Sequence, residues 1–134
     1  MAFAVYTKVP IQQTRNEIEK TVEKAGATHF ASFIEPEAAQ IAFRLKERNI
    51  RFKLPMSSKL TDQVKRSRWR ALLLVIKAKL EGVEAEIETI EEAFLAHIVV
   101  GGTGGRTVYE EIQGNLALGY QGNNVQLLPS QKEN

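Results

Sequence analysis

Two neighbouring stretches of the chain alternate strictly between apolar residues and polar or small ones, and this pattern limits what the chain can fold into. The apolar positions are Ala39, Ile41, Phe43 and Leu45 in the first stretch and Ile50, Phe52 and Leu54 in the second. Because successive side chains of a β-strand point to opposite faces of a sheet, each stretch predicts a half-buried strand. Residues 47–49 are expected to connect the two strands, since Asn49 is able to take a left-handed conformation.

The same alternation places positive charge on the opposite face of this pair of strands. If the apolar side chains face the core, the other face carries four cations, Arg44, Lys46, Arg51 and Lys53. Cations at this density repel one another unless an anion or an acidic partner covers them. The pattern therefore predicts a face that attracts anions or acidic residues.

The remaining segments predict one further strand and four helices. Helices are expected over 14–24, over 59–80, from Thr89 onward and from Thr107 to about Tyr120, with a strand over 27–34 and a turn at 35–37. Thr89 with Glu92, and Thr107 with Glu110, have the spacing of a capping box. The predicted fold class is α+β, a three-stranded antiparallel meander packed with helices in the order α-β-β-β-α-α-α. Residues 1–129 are expected to form a single domain, and 130–134 a polar C-terminal tail.

The helix predicted over 59–80 changes character along its length. Its first part is basic, whereas 71–76 is apolar on every side. One apolar stripe consists of Trp69, Leu72, Leu73, Ile76 and Leu80, and a second of Leu74, Val75 and Ala78. A helix that is apolar all round is buried in a core or in an oligomer interface, so a homo-oligomer is expected. Glu81 and Gly82 are expected to break this helix.

Two further expectations concern burial in the last third of the chain. The helix that starts at Thr89 is expected to bury Ile90, Phe94, Leu95 and Ile98. After the last helix, Val125, Leu127 and Leu128 are expected to dock back onto the domain.

Charge is segregated along the 134 residues. Residues 44–80 carry twelve Lys or Arg against two acidic residues, and residues 81–134 carry two against nine. Such blocks fit an anion-binding surface, or acidic and basic faces that pair within the fold or across an oligomer. The chain has no cysteine, which excludes disulfides, thiol catalysis and zinc–thiolate sites. The absence of cysteine favours a reducing cytoplasm. The chain also has no apolar run of about 18 residues, so we expect no membrane-spanning helix.

The cations of the basic block form the candidate phosphate-binding site. They are Arg44, Lys46, Arg51, Lys53, Lys65, Arg66, Arg68 and Arg70. They come together only if the start of the long helix borders the basic sheet face. Cations at this density suit the phosphates of a nucleic acid or a nucleotide ligand, and the alternative is pairing with the C-terminal glutamates. Trp69 is expected in the core, with stacking on a base as its alternative.

Other features indicate chemistry less strongly. The glycine-rich segment 101–107 could hold a phosphate, but it lacks the ending of a Walker A loop, and a flexible connection is the simpler interpretation. His29 and His97 are the only histidines, for which structural roles are favoured. The glutamates of 84–92 fit no calcium-loop signature. We therefore expect no catalytic residue, no metal and no cofactor, and a protein that is not an enzyme.

Segments along most of the chain resemble a family of small uncharacterised phage and prophage proteins. The resemblance lies in RWRALLLVIKAKLE at 68–81, IEEAFLAHIV at 90–99, Val9-Pro10, Ile18-Glu19, Gly26-Ala27 with Phe30-Ala31, and Leu127-Leu128-Pro129. It implies a mobile genetic element and the cytoplasm of a host cell, without an established activity. Members of that family have a tight Pro-Asp-Gly type of turn where this chain has Gly101 to Gly105, which argues against a shared binding loop.

Two functions from different classes fit these expectations. The first is a non-enzymatic accessory protein of phage replication or recombination that binds nucleic acid through a basic sheet-and-helix surface. The alternative is an anti-defence protein that sequesters a nucleotide second messenger or blocks a host immune effector. A small nuclease or phosphodiesterase is disfavoured, because no convincing set of histidines or carboxylates is present.

Overall fold

The alternating stretches form neighbouring strands of one antiparallel sheet. The computed structural model describes residues 7–101, 105–121 and 127–128. In it β1 (His29–Ile34), β2 (Ala38–Leu45) and β3 (Arg48–Pro55) pair in that order. The predicted alternation is confirmed, since every second residue of β2 is buried, and Phe43 lies opposite Ile50 on the same face.

The turn between β2 and β3 differs from the prediction. Lys46 and Glu47 form it, and both have a positive backbone φ, 49° and 65°. Asn49 is a strand residue opposite Arg44, so the expected connection over 47–49 is wrong. A two-residue hairpin with two positive φ angles matches the twist of the strands and usually contains Asn or Gly. Neither is present here, which explains why the sequence did not indicate this turn.

Two helices cover the apolar face of the sheet. Helix α1 (Ile11–Lys24) starts directly after Pro10, three residues before the predicted start, and ends before Gly26, whose φ is 110°. It buries Thr14, Ile18 and Val22. Helix α2 (Asp62–Glu84) is capped by Thr61, whose hydroxyl accepts a hydrogen bond from the Val64 N–H.

Helix α2 continues through Gly82, so the break predicted there is wrong. Its first apolar stripe points into the core, where Trp69, Leu72, Leu73 and Ile76 are buried together with the inward residues of the sheet. Its second stripe is exposed, since Leu74 and Val75 are 39% and 44% accessible. The helix therefore has a covered side and an uncovered side.

The chain after α2 closes the end of the core and adds a second, two-stranded sheet. Helix α3 (Ile90–Phe94) begins with the predicted capping box and is followed by a short 3₁₀ turn, Leu95–His97. Phe94 is fully buried against Phe43 and Phe52, whereas Leu95 is 52% exposed, contrary to prediction. An isolated bridge between Ile98 and Ile50 then ties this segment to β3.

Strands β4 (Val99–Val100) and β5 (Arg106–Thr107) pair across the glycine-rich segment, and helix α4 (Val108–Gln121) follows. The sequence did not predict this hairpin. Leu127 and Leu128 are exposed, so their expected docking is wrong, while Val125 and the predicted tail over 130–134 lie outside the described residues. The predicted α+β class and the order of the main elements are confirmed.

Candidate nucleic-acid interface

The face of the sheet that points away from α1 and α2 consists of three rows of side chains, and we call it the open face. From β1 to β3 the rows are His29, Arg44 and Asn49; Ala31, Ala42 and Arg51; and Phe33, Gln40 and Lys53. Directly opposed residues of antiparallel strands share a face. The register therefore brings Arg44, Arg51 and Lys53 together, as the alternation predicted.

Two open depressions lie side by side on the open face and share a floor made by Ala31 and Ala42. Their volumes are about 480 Å³ and about 320 Å³. Each depression is lined by an aromatic ring from β1 and by an arginine from β2 or β3. These are His29 and Arg44 in the larger depression, and Phe33 and Arg51 in the smaller. The open face thus combines flat apolar surface with positive charge, and Glu35 adds one carboxylate to the lining of the smaller depression.

Arg51 is held at the edge of the open face by the C-terminal hairpin and helix. Its Nη2 donates a hydrogen bond to the Gly105 carbonyl at 3.0 Å and lies 3.4 Å from Oε1 of Glu110. Thr107 and Glu110 form the predicted reciprocal hydrogen bonds at the start of α4. The bond from the Thr107 backbone, with the charge of Arg51, lowers the pKa of Glu110 below its ordinary value of 4.5. Arg51 therefore already faces an ionised carboxylate.

Arg44 and Lys53 are less engaged than Arg51. Arg44 donates to Oδ1 of Asn49 at 3.3 Å, which is a neutral partner. Lys53 is exposed and forms no ion pair with any residue in the described part of the chain. Lys46 lies in the hairpin turn, beyond the last row, so its predicted place among the strand cations is wrong.

The four cations of α2 lie in the helical layer and do not extend the open face. Three of them have partners in this layer or at its border with the sheet. Arg70 forms an ion pair with Glu17 at 2.9 Å, Arg66 donates a hydrogen bond to Gln63 at 3.0 Å, and Arg68 donates one to the Pro55 carbonyl. Lys65 is half-buried on the same helix. The predicted continuous sheet-and-helix surface is wrong, because α2 packs against the apolar face while the strand cations point the other way.

The aromatic residue inside the basic block has a structural role. Trp69 is only 1% exposed, so it belongs to the core, as the sequence predicted, and does not stack on a ligand. The exposed rings are elsewhere, since Phe33 is 64% accessible and His29 is also exposed. The pattern of β1 does not indicate which way its residues face, so neither ring was expected on the open face. His29 lies on the open face because it pairs with Arg44 of the neighbouring strand, and no pattern in the sequence indicates that pairing.

His97 packs against the covered side of the sheet. Its ring lies 4.0 Å from that of Phe52, centroid to centroid, at an interplanar angle of 32°. Burial lowers the pKa of His97 from the ordinary value of 6.5, and the nearby charge of Lys79 lowers it further, against a hydrogen bond with the backbone of Arg51. This environment favours a neutral ring that contributes packing.

The other candidate features do not assemble into a site. Residues 102–104 lie outside the described residues, and the flanking Gly105 presents its carbonyl, not its N–H, to Arg51. Among the described residues, no group of three or more His, Asp or Glu side chains could hold a metal ion. Glu91 instead forms an ion pair with Arg48 at 2.7 Å.

Comparisons with known proteins give no assignment. No protein-family model, no curated protein and no solved structure matches this chain. Within the residues that the structure describes, no helix is both long enough and apolar enough to cross a membrane.

Proposed function

We propose that this protein binds single-stranded nucleic acid on its open face and catalyses no reaction there. One observation carries the proposal: each of the two adjoining depressions combines an aromatic ring, an alanine floor and an arginine. A base stacks on a ring or a guanidinium plane, while its phosphate pairs with a cation. Two such units side by side match a ligand in which base and phosphate repeat.

Single strands fit this surface better than a duplex. In a duplex the base faces are stacked on one another and unavailable to a flat protein surface, whereas a single strand can splay its bases onto it. The floor of Ala31 and Ala42 leaves room for a base, since the side chain of each is a single methyl group. Phe33, 64% exposed beside this floor, has no structural need to be aromatic.

The direct test is fluorescence anisotropy with a labelled oligothymidylate and a duplex of equal length, at about 50 and 200 mM salt. We expect the single strand to bind more tightly and its binding to weaken with salt, because phosphate contacts release counterions. Arg44→Glu with Lys53→Glu should abolish binding at the higher salt. This pair is preferred to any variant of Arg51, which already has Glu110 as a partner.

A matched variant separates a local effect from a change in net charge. Lys20→Glu with Lys24→Glu makes the same change in charge on exposed residues of α1, in the opposite layer. It should retain most of the binding. Equal losses in both double variants, or no binding of the wild-type protein at low salt, would rule out the open face as the site.

Phe33→Ala tests the stacking step separately. Loss of one base–ring contact costs about 1–3 kcal/mol, so we expect affinity for the single strand to fall by about tenfold or more. Affinity for the duplex should change little. An unchanged affinity for both would leave a purely electrostatic surface and contradict the stacking geometry.

A small nucleotide is the second candidate ligand, and the size of the depressions favours it. Volumes of about 320 and 480 Å³ fall within the usual range of ligand pockets. Such a protein could sequester a nucleotide second messenger in an anti-defence role. Calorimetry with mononucleotides and cyclic dinucleotides tests this candidate. Micromolar binding of one of them, without binding of oligothymidylate, would replace the first proposal.

The wider setting expected from the sequence belongs to the same proposal. A single-strand binder of this size would serve as an accessory protein in phage replication or recombination, in the cytoplasm of the host cell. The segments that resemble phage proteins support this setting.

A further inference from the structure

Strand β1 forms one edge of the three-stranded sheet, and no described residue pairs with the outer side of its backbone. The register, with the bond of 2.8 Å from the Glu35 N–H to the Ala38 carbonyl, shows which way its main-chain groups point. Odd-numbered residues of β1 bond to β2, so the N–H and carbonyl groups of Phe30, Ser32 and Ile34 point away from the sheet. These outward groups are a template for a further strand.

This edge lacks the features by which sheet edges usually avoid pairing. Natural edge strands are very short, are covered, or carry charged residues and proline. Strand β1 has six residues, HFASFI, with no Lys, Arg, Asp, Glu or Pro. The opposite edge differs, since β3 is bridged to Ile98. Strand β3 also carries Arg48, Arg51 and Lys53, and it ends at Pro55. The edge available to another chain is therefore that of β1.

The side chains of β1 favour a second copy of the same strand as its partner. In an antiparallel pair centred on Ser32, position 30 lies opposite position 34, and position 29 lies opposite position 35. This register pairs the outward groups of both strands through about six hydrogen bonds. His29 then faces the partner's Glu35, an imidazole opposite a carboxylate at each end of the pair. Within the described part of one chain Glu35 forms no ion pair, and His29 has only the Thr28 hydroxyl as a hydrogen-bond partner, at 2.9 Å.

The same register covers the two large apolar side chains that β1 leaves exposed. Ile34, 70% exposed, lies opposite the partner's Phe30 on the helical side of the sheet. Phe33, 64% exposed, lies opposite the partner's Ala31 on the open face. Directly opposed side chains of antiparallel strands are in contact, so both residues lose exposed apolar surface in the pair.

Arg15 of α1 is the charged residue beside the centre of this strand pair. Its Nε donates to Oγ of Ser32 at 2.7 Å, and its guanidinium lies 5.1 Å from the centre of the Phe30 ring. The charge of Arg15 is already paired with Glu19 at 3.1 Å. Two copies therefore bring together arginines that are each neutralised within their own chain, and this charge does not oppose the pairing.

We propose that two copies of this chain pair antiparallel along β1, about a two-fold axis at Ser32, so that their open faces form one surface of a continuous sheet. The row that starts at Arg51 and crosses Ala42 and Ala31 then ends at the partner's Phe33. Each alanine floor thus lies between a guanidinium of one copy and a ring of the other. This consequence for ligand binding rests on the function proposed above, whereas the pairing of the strands does not.

Sedimentation velocity of the full chain from about 1 to 300 μM tests the pairing. A single strand pair buries less than the roughly 800 Å² per partner of a standard interface. We therefore expect a concentration-dependent shift from monomer to dimer, with a dissociation constant in the micromolar range. A monomer over the whole range would overturn the proposal.

Ser32→Pro removes an outward N–H at the centre of the pair and no hydrogen bond between β1 and β2. We expect the dissociation constant of the dimer to rise more than tenfold. Ser32→Ala is the matched change, because it also loses the contact with Arg15 but keeps the N–H, and it should leave dimerisation as it is. If both variants are folded by circular dichroism and dimerise equally well, the interface lies elsewhere and the proposal is wrong.

An exchange of charges tests the antiparallel register. Glu35→Lys should weaken the dimer, because a lysine then faces the imidazole of the partner. Adding His29→Glu to the same chain restores opposite charges across the two-fold axis and should restore the dimer. Glu47→Lys makes the same change in charge on an exposed residue of the β2–β3 turn, and it should leave dimerisation as it is. A parallel pair predicts no rescue, so a failed rescue in a folded protein would exclude this register.

Oligothymidylates of about 6 and about 20 nucleotides separate the pairing from the proposed function. With the wild-type dimer the longer strand can contact both open faces, so we expect it to bind at least tenfold more tightly than the shorter one. Ser32→Pro should lose most of this difference, and an equal difference in both proteins would overturn the shared surface. Dimerisation without binding of either strand would refute the function proposed for the open face and leave the pairing, whereas binding by a protein that stays monomeric would do the reverse.

Discussion

The two faces of the three-stranded sheet are built from the same strands and have opposite characters. On the covered face Phe43 is 2% exposed and lies in a cluster with Phe94 and the helices. On the open face Phe33, of the same residue type and one strand away, is 64% exposed. The covered face accounts for why the chain folds. The open face contributes little to folding, so its aromatic and charged residues are where selection for binding can act.

The largest expected effect is a difference between two identical substitutions, one on each face. Phe43→Ala should lower the free energy of unfolding by about 3–5 kcal/mol, because it opens a cavity within the packed core. Phe33→Ala should change it by less than about 0.5 kcal/mol, as is usual for exposed residues. Urea denaturation followed by circular dichroism measures both. Comparable losses would show that another part of the protein covers the open face, and would contradict the difference between the two faces.

The alternation of apolar and polar residues predicts which side chains of the sheet lie on each face, but not how the helices pack against it. Alternation in β2 and β3 was sufficient to assign Phe43 to the core and Arg44, Arg51 and Lys53 to the other face, since period two leaves no third choice. It could not show that α2 packs on the apolar face, which separates the helix cations from the strand cations. That separation depends on tertiary packing, and no local signal encodes it.

The open face also contains residues that no pattern in the sequence indicates. Phe33 and His29 belong to β1, where apolar residues occur on both faces and the period gives no facing. Glu110 was predicted only as a capping residue, yet it also lies 3.4 Å from Arg51, 59 positions away in the chain. Contacts of such sequence separation arise only after the hairpin β4–β5 returns α4 to the sheet.

The second prediction concerns the turn that fixes which residues lie on which face. Glu47→Gly should raise the free energy of unfolding by about 0.5–1 kcal/mol, because glycine adopts a positive φ without strain from Cβ. Glu37→Gly, in the other tight turn, should instead lower stability, since Glu37 has no positive φ. The urea midpoints of the two variants should therefore shift in opposite directions. Shifts in the same direction would contradict the backbone geometry of the β2–β3 turn.

The third prediction concerns pH and tests the covered face. The pKa of His97 is lowered in the folded protein, mainly by burial, so the unfolded chain binds the proton more readily. Stability should therefore be fully present above the ordinary pKa of 6.5 and decrease as the pH falls below it. The pKa of Glu110 is lowered from 4.5, so this carboxylate loses its contribution only at more acidic pH. Urea midpoints at about pH 7.5 and 5.5 separate the two groups.

His97→Gln identifies the source of this pH dependence. The variant should be less stable than the wild type at about pH 7.5, since it loses the contact with the Phe52 ring, and should lose less stability on going to about pH 5.5. If the variant loses as much stability as the wild type between these two pH values, other groups cause the pH dependence.

The smallest expected effect is on the open face, where Glu110 competes with an incoming phosphate for Arg51. Glu110→Gln removes the charge but keeps an oxygen that can accept the Thr107 N–H, because glutamine also closes a capping box. Stability should hardly change, since an exposed ion pair contributes about 0–1 kcal/mol. Affinity for oligothymidylate at about 50 mM salt should rise roughly two- to fivefold, because Arg51 and Lys53 are then free of the neighbouring carboxylate.

Glu111→Gln is the matched change, at the carboxylate that pairs with Arg106 at 3.9 Å, and should leave affinity as it is. A rise in both variants would indicate a general effect of net charge, whereas a fall with Glu110→Gln would mean that this carboxylate positions Arg51 for the ligand and does not compete with it.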